Sequence, residues 1–132
     1  MPRGVRSSRW QLRVLQTATA GADAVVSPLL LETLNADYDD SGLDPRFSQS
    51  VVLSRDGDGN ITHQVRAHYP RRAQDPAFSD PLLTPGQLAA TYDDSQQRLR
   101  LQEETPGWTR VVDDSNWRLG LPTQQIEQAL DY

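Results

Sequence analysis

At 132 residues the chain is the size of one domain, and with 36% hydrophobic residues and a mean hydropathy of −0.65 it can build only a modest core. A formal net charge of −5 and a pI of about 4.8 remove the electrostatic basis for binding nucleic acid or an anionic membrane surface. The absence of cysteine excludes disulfides, thiolate metal sites and a cysteine nucleophile.

The basic start, Met1 to Gln11, is followed by no apolar run and does not read as a secretory leader. The longest apolar run, Pro28 to Leu31, is far too short to cross a bilayer. The expectation is one soluble, mainly β segment over residues 1–132, made of antiparallel hairpins and a meander with one or two short helical turns.

In chain order, Trp10, Leu12 and Val14 alternate with Arg9, Gln11 and Arg13, as a half-buried strand requires. Thr17 to Ala24 is a small, flexible connection. Leu30, Glu32 and Leu34 then alternate with Leu29, Leu31 and Thr33 behind Pro28, which suits a strand start or an edge. Asp39 to Pro45 is turn chemistry throughout.

The strongest hairpin signal follows. Phe47, Val51 and Leu53 share one parity, with Gln49 the exception, and Ile61, His63, Val65, Ala67 and Tyr69 form one face of a second strand. Between them lies Asp56-Gly57-Asp58-Gly59-Asn60. Pro70 to Gln87 holds four prolines in eighteen residues and reads as an irregular crossing. Within it, Thr84 as N-cap, Pro85 at the first helical position and Gln87 as its reciprocal partner predict a short helix. A second hairpin is expected, with Gln96 to Glu104 and Trp108 to Val112 joined by a turn at Thr105-Pro106-Gly107. Asp113 to Pro122 reads as a turn with Trp117 as a buried aromatic anchor, and Thr123 to Tyr132 as a short helix or a strand. Asp-Asp-Ser occurs at Asp39, Asp93 and Asp113 with no common spacing, which is recurring turn chemistry and no repeat.

Candidate chemistry is thin. In a calcium loop Asp56 and Asp58 would be the third and fifth positions, but Ser54 and Val65 would then occupy the first and twelfth, which need acids. A hairpin turn is the better reading. His63 and His68 differ by an odd number and leave opposite faces of one strand, so they form no metal pair. Each is expected to be a strand residue with a hydrogen-bonded ring. The adjacent acid pairs, Glu103-Glu104 among them, point apart on strands and read as solvated acids, not as a glycosidase pair. Arg71 and Arg72 are expected to pair with the chain's own aspartates. Trp10, Trp108 and Trp117 could form a sugar platform, but Trp10 and Trp108 sit in alternating strands, and packing in a core or interface is the favoured expectation. No catalytic, cofactor-binding or metal residue is assigned.

Three stretches, Ser48 to Pro76, Tyr92 to Glu104 and Asp113 to Pro122, resemble in order and spacing the B component of bacterial Tc (toxin complex) insecticidal toxins. The similarity is to that protein's middle part, between its β-propeller and its Rhs-type repeats, and extends over about Trp10 to Pro122. It implies a segment of an Rhs-like β-shell that encloses a toxic polypeptide, with no enzymatic role and no cofactor. The implied partners are the remaining segments of the B component and the Rhs-type C component, with the A component reached only indirectly. Implied localisation is extracellular, after synthesis in the bacterial cytoplasm. The structural residues it implies are Tyr69, Pro70, Arg71 and Arg72 at the hairpin exit, and Asn116, Trp117, Gly120, Leu121 and Pro122 at a corner. Family members are very long, so the resemblance implies a gene fragment, a split reading frame or a remnant. A free-standing β-rich module binding sugar or calcium is the alternative.

Overall fold

The computed structural model describes residues 3–38, 45–71, 81–113, 115 and 117–132. Six antiparallel strands form one open sheet in sequence order: β1 (Gly4–Gln16), β2 (Val25–Asp37), β3 (Arg46–Arg55), β4 (Ile61–His68), β5 (Arg100–Val112) and β6 (Trp117–Asp131). Between β4 and β5 lie α1 (Pro85–Ala90) and a 3-10 turn (Asp94–Gln97). The mainly β expectation holds. The capping box holds in full: the Thr84 hydroxyl accepts from the Gln87 N–H, and the Gln87 side chain accepts from the Thr84 N–H.

Cross-strand partners share a face, so the register sorts the side chains. One row runs Leu34, Gln49, Ala67, Leu101, Leu130, and the next runs Glu32, Val51, Val65, Glu103, Gln128. The reverse face carries Thr33, Ser50, Arg66, Gln102 and Ala129. One face is therefore rich in apolar side chains and the other almost wholly polar. Among the described residues only Ala36 and Leu88 are buried hydrophobics, and Thr33 and Glu104 are buried polar residues. Glu104 is held by Arg66, with Nε 3.1 Å from its carboxylate, and by a hydrogen bond from Gln64 of 2.5 Å. Its neighbour Glu103 instead meets His63 at 2.6 Å, so the adjacent acids do point apart.

The accessible surface is 9876 Å². A compact protein of 14.8 kDa exposes roughly 7,000 Å², so this sheet shows about two-fifths more than a closed domain would. Among the described residues no helix or strand packs over either face of the sheet.

Three expectations fail for physical reasons. β1 is exposed along its whole length, not half-buried, because β2 is the only helix or strand among the described residues that packs on it, and beyond β2 it reaches the β3–β4 turn through the Arg13 side chain. It pairs with β2 through a turn at Ala20-Gly21, so the connection over Thr17 to Ala24 closes a hairpin. Thr105-Pro106-Gly107 is no turn: β5 runs straight through it, and the turn falls after Val112. The pairing of β4 with β5 stops at Glu104, so Pro106 lies where β5 has only β6 beside it, and a missing N–H is tolerated there. Pro28 obeys the same rule, since β2 pairs with β3 only from Glu32 onward. Finally, Trp117 to Pro122 is no corner but the first half of β6, and Thr123 to Asp131 continues it as strand.

Leu53 also departs from its expected row. The register slips between Val52 and Ser54, which leaves Leu53 bulged and 55% exposed.

Candidate functional site: a clamped turn and an arginine-bearing strand end

The two ends of the β3–β4 hairpin hold the densest polar contacts of the described residues. At the first end, Asp56 makes the turn. Its backbone N–H donates to the Asn60 carbonyl at 3.0 Å, and Gly59 N–H donates back to the Asp56 carbonyl at 3.1 Å. The Asp56 carboxylate accepts from the Asp58 and Asn60 N–H groups at 3.0 and 2.8 Å and from the Asn60 side chain at 2.9 Å. The Asn60 side-chain bond, aided by the backbone N–H groups and opposed by partial burial, holds the Asp56 carboxyl below its ordinary pKa.

This turn is gripped from both sides, because β1–β2 and β5–β6 run on past it. From one side the Arg13 guanidinium donates to the Gly57 carbonyl at 3.0 Å. Arg55 donates at 2.7 Å to both the Gly59 and the Leu30 carbonyls, tying the turn to β2. From the other side Arg110 lies 3.8 Å from the Asp58 carboxylate, and the Trp108 indole N–H donates to the Ile61 carbonyl at 2.5 Å. Gly120, at φ +70°, lets β6 approach so closely that a Cβ there would meet Asn60 Oδ1 at 2.7 Å.

The hairpin-turn reading of Asp56 to Asn60 is therefore correct, and its carboxylates are engaged in closing and anchoring the turn. Among the described residues no three acidic or histidine side chains converge as metal ligands do. The two tryptophans do not share a platform: Trp10 on β1 is 56% exposed, and Trp108 on β5 is fixed to the turn.

At the other end, Tyr69 N–H closes the hairpin on the Phe47 carbonyl at 3.0 Å, and its hydroxyl donates to Gln49. Gln49 in turn donates to Glu32 at 2.5 Å, and Glu32 pairs with Arg9 at 3.0 Å, so a polar chain crosses from β4 to β1. Arg71 is held by several groups of the crossing between β4 and β5. Its guanidinium donates to the Thr91 carbonyl at 3.2 Å and the Gln96 side chain at 3.1 Å, and stacks over Tyr92 with 4.5 Å to the ring centre. The Asp93-to-Ser95 turn places Gln96 there, because a 3-10 turn presents a carbonyl and an amide together to Arg71.

The model for the insecticide toxin TcdB middle/C-terminal region matches residues 1–121. The chain belongs to this family. Among solved structures the TcdB2-TccC3-Cdc42 crystal structure is similar, with 32% identity and a TM-score of 0.82. The TcdB2-TccC3 complex matches with 33% identity and a TM-score of 0.80. Each similarity covers 99% of this chain and 6% of the other, so the chain spans a small part of those relatives. No curated protein is significantly similar.

The residues expected to serve as structural motifs fall at two separate places among the described residues. Tyr69, Pro70 and Arg71 lie at the strand end, and Gly120, Leu121 and Pro122 lie beside the clamped turn. Arg72 and Asn116 lie outside the described residues, as does the Trp117 side chain, whose backbone pairs with Val112. The sequence reading missed Arg13, Arg55 and Asn60, which do most of the clamping. Their only local signal is that arginines flank a turn rich in carbonyls that need donors.

Proposed function

We propose that this chain is a non-catalytic wall segment of an insecticidal toxin-complex B component, folding as a single unit over residues 1–132. Its partners are the adjoining segments of the B component and, by analogy with the TcdB2-TccC3 structures, an Rhs-type C component, with the A component reached only indirectly. The complex acts outside the bacterium that makes it. Tyr69, Pro70, Arg71 and Arg72 serve as the exit of the central hairpin, and Asn116, Trp117, Gly120, Leu121 and Pro122 as the start of the last strand, in structural roles.

The observation that carries this reading is the uncovered sheet. Roughly 2,900 Å² of surface beyond that of a compact protein is on the scale of an obligate interface. β1 and β6 are open edges, and both ends of the chain's sheet present paired strands with backbone groups unmatched on one side. A wall continues such edges into its neighbours.

The test is sedimentation and amide hydrogen exchange on the purified chain. Association, or weak protection outside Phe47 to Tyr69, is the expected result. A monodisperse monomer, protected across all six strands at high concentration, contradicts the wall reading and favours a free-standing module.

A further inference from the structure

β1 and β6 close the two sides of the sheet, and each pairs with one neighbour among the described residues. In this all-antiparallel order the two edge strands run in opposite directions, because five reversals separate them. A second copy set beside the first by translation therefore offers its β1 antiparallel to the first copy's β6. The face rich in apolar side chains stays on one side throughout such a stack.

The register says which residues then meet. One row runs Ser7, Leu34, Gln49, Ala67, Leu101, Leu130, and its neighbour runs Ser8, Thr33, Ser50, Arg66, Gln102, Ala129. Continued into a second copy, these rows set Leu130 against that copy's Ser7 and Ala129 against its Ser8. They align residues 123–131 of β6 with residues 6–14 of β1. Pro122, which has no N–H to give to a ladder, falls just outside the aligned stretch.

Charge selects this pairing over its rivals. β1 carries Arg6, Arg9 and Arg13 and no acid, whereas residues 123–131 carry Glu127 and Asp131 and no base. Pairing β1 with the β1 of another copy opposes arginines to arginines. Pairing 123–131 with itself sets Glu127 against Glu127. Like charges directly opposite destabilise a strand pair, and unlike ones stabilise it. Edge arginines thus keep off an identical edge and admit an acidic one.

We propose that the open edge of β1 docks the end of β6 from a second copy, head to tail, so that the free chain assembles as an open series of sheets. This rests on the wall reading, which takes the edges as pairing surfaces, and adds which edge meets which.

Disulfide trapping tests it, since the chain has no cysteine of its own. Opposed residues of an antiparallel pair lie about 4.5–5.5 Å apart at Cα, within disulfide reach, and successive rows alternate between the close and the wide spacing. Two mixtures are oxidised, Ser7→Cys with Leu130→Cys and Ser8→Cys with Ala129→Cys, so that one of them samples the close spacing. At least one should give mixed dimer about tenfold or more above Ala24→Cys, a control on an exposed connection, because docking raises the effective thiol concentration. The double variant Ser8→Cys/Ala129→Cys should give a ladder of dimer, trimer and longer species. In sedimentation, Arg6→Glu should weaken association roughly fivefold. A chain that associates but traps no better than the control, or traps Ser8→Cys with itself, overturns this pairing and leaves the wall reading standing. Association unchanged by Arg6→Glu overturns it too. A chain that stays monomeric at high concentration overturns both.

Discussion

Two hairpins in this sheet use the same local device and end up with opposite roles. β1–β2 turns at Ala20-Gly21, with Gly21 at φ +96° and two backbone bonds between Thr19 and Ala22 of 3.0 and 3.1 Å. Nothing lies within 4 Å of where a Gly21 side chain would sit. β3–β4 turns at Asp56 to Asn60, with Gly59 at φ +92°, and is contacted by β1, β2, β5 and β6. The difference is one of strand length. β3–β4 is the shorter hairpin, so its neighbours overrun it on both sides and enclose its turn. β1–β2 overruns its only neighbour and turns in the open. A turn becomes an anchor when the strands around it are longer than its own.

The largest test of this contrast is at glycine. Gly120→Ala should destabilise the chain by about 2–3 kcal/mol, since it adds left-handed backbone strain to a collision with Asn60. Gly21→Ala carries the strain alone and should cost only about 1–2 kcal/mol. Urea midpoints measure both, and equal costs would mean that the Asn60 contact contributes nothing.

Next in size is the turn carboxylate. Asp56→Ala removes three accepted hydrogen bonds and should cost roughly 2 kcal/mol, whereas Asp93→Ala, whose carboxylate accepts from the Ser95 N–H, should cost about 1 kcal/mol. If chemical denaturation ranks the two together, the turn is no anchor.

The tryptophans sharpen the comparison further. Trp108→Phe loses the bond to the Ile61 carbonyl and should cost about 1 kcal/mol. Trp10→Phe, on the exposed arm, should fall within about 0.5 kcal/mol of the parent. Reversal of that order would place the stabilising contacts on β1.

The smallest expected effect is on pH dependence. The Asp56 carboxyl titrates lower in the folded chain than in the unfolded one, so the unfolded state binds its proton first as pH falls. Its contribution is complete above the ordinary carboxylate value and is lost as pH drops through its lowered one. Asp56→Asn should therefore flatten the stability profile below about pH 4. A profile unchanged by the substitution would show that other acids set it.

What could be read in the residues was what a few neighbouring positions decide. The Asp56 to Asn60 turn, the Thr84–Gln87 capping box and the turns at Asp93 and Asp113 all appear as expected. In three of these a carboxylate accepts the N–H two residues on, which needs no distant partner. Asp39 to Ser41 carries the same letters and lies outside the described residues.

By itself the sequence determined strand alternation, the central hairpin and the helix start, because these are properties of backbone and side chain over a few bonds. Whether Pro106-Gly107 turns or runs straight was settled only by the end of β4, which leaves β5 with one neighbour there. Which face of an alternating strand is covered was likewise settled by what packs on it, and no helix or strand among the described residues lies over either face of β1. The clamps on Asp56 to Asn60 come from Arg13, Trp108 and Gly120, between 40 and 70 positions away, and no local pattern records so distant a partner. Such contacts depend on relative strand lengths and register, which exist only once the sheet has formed.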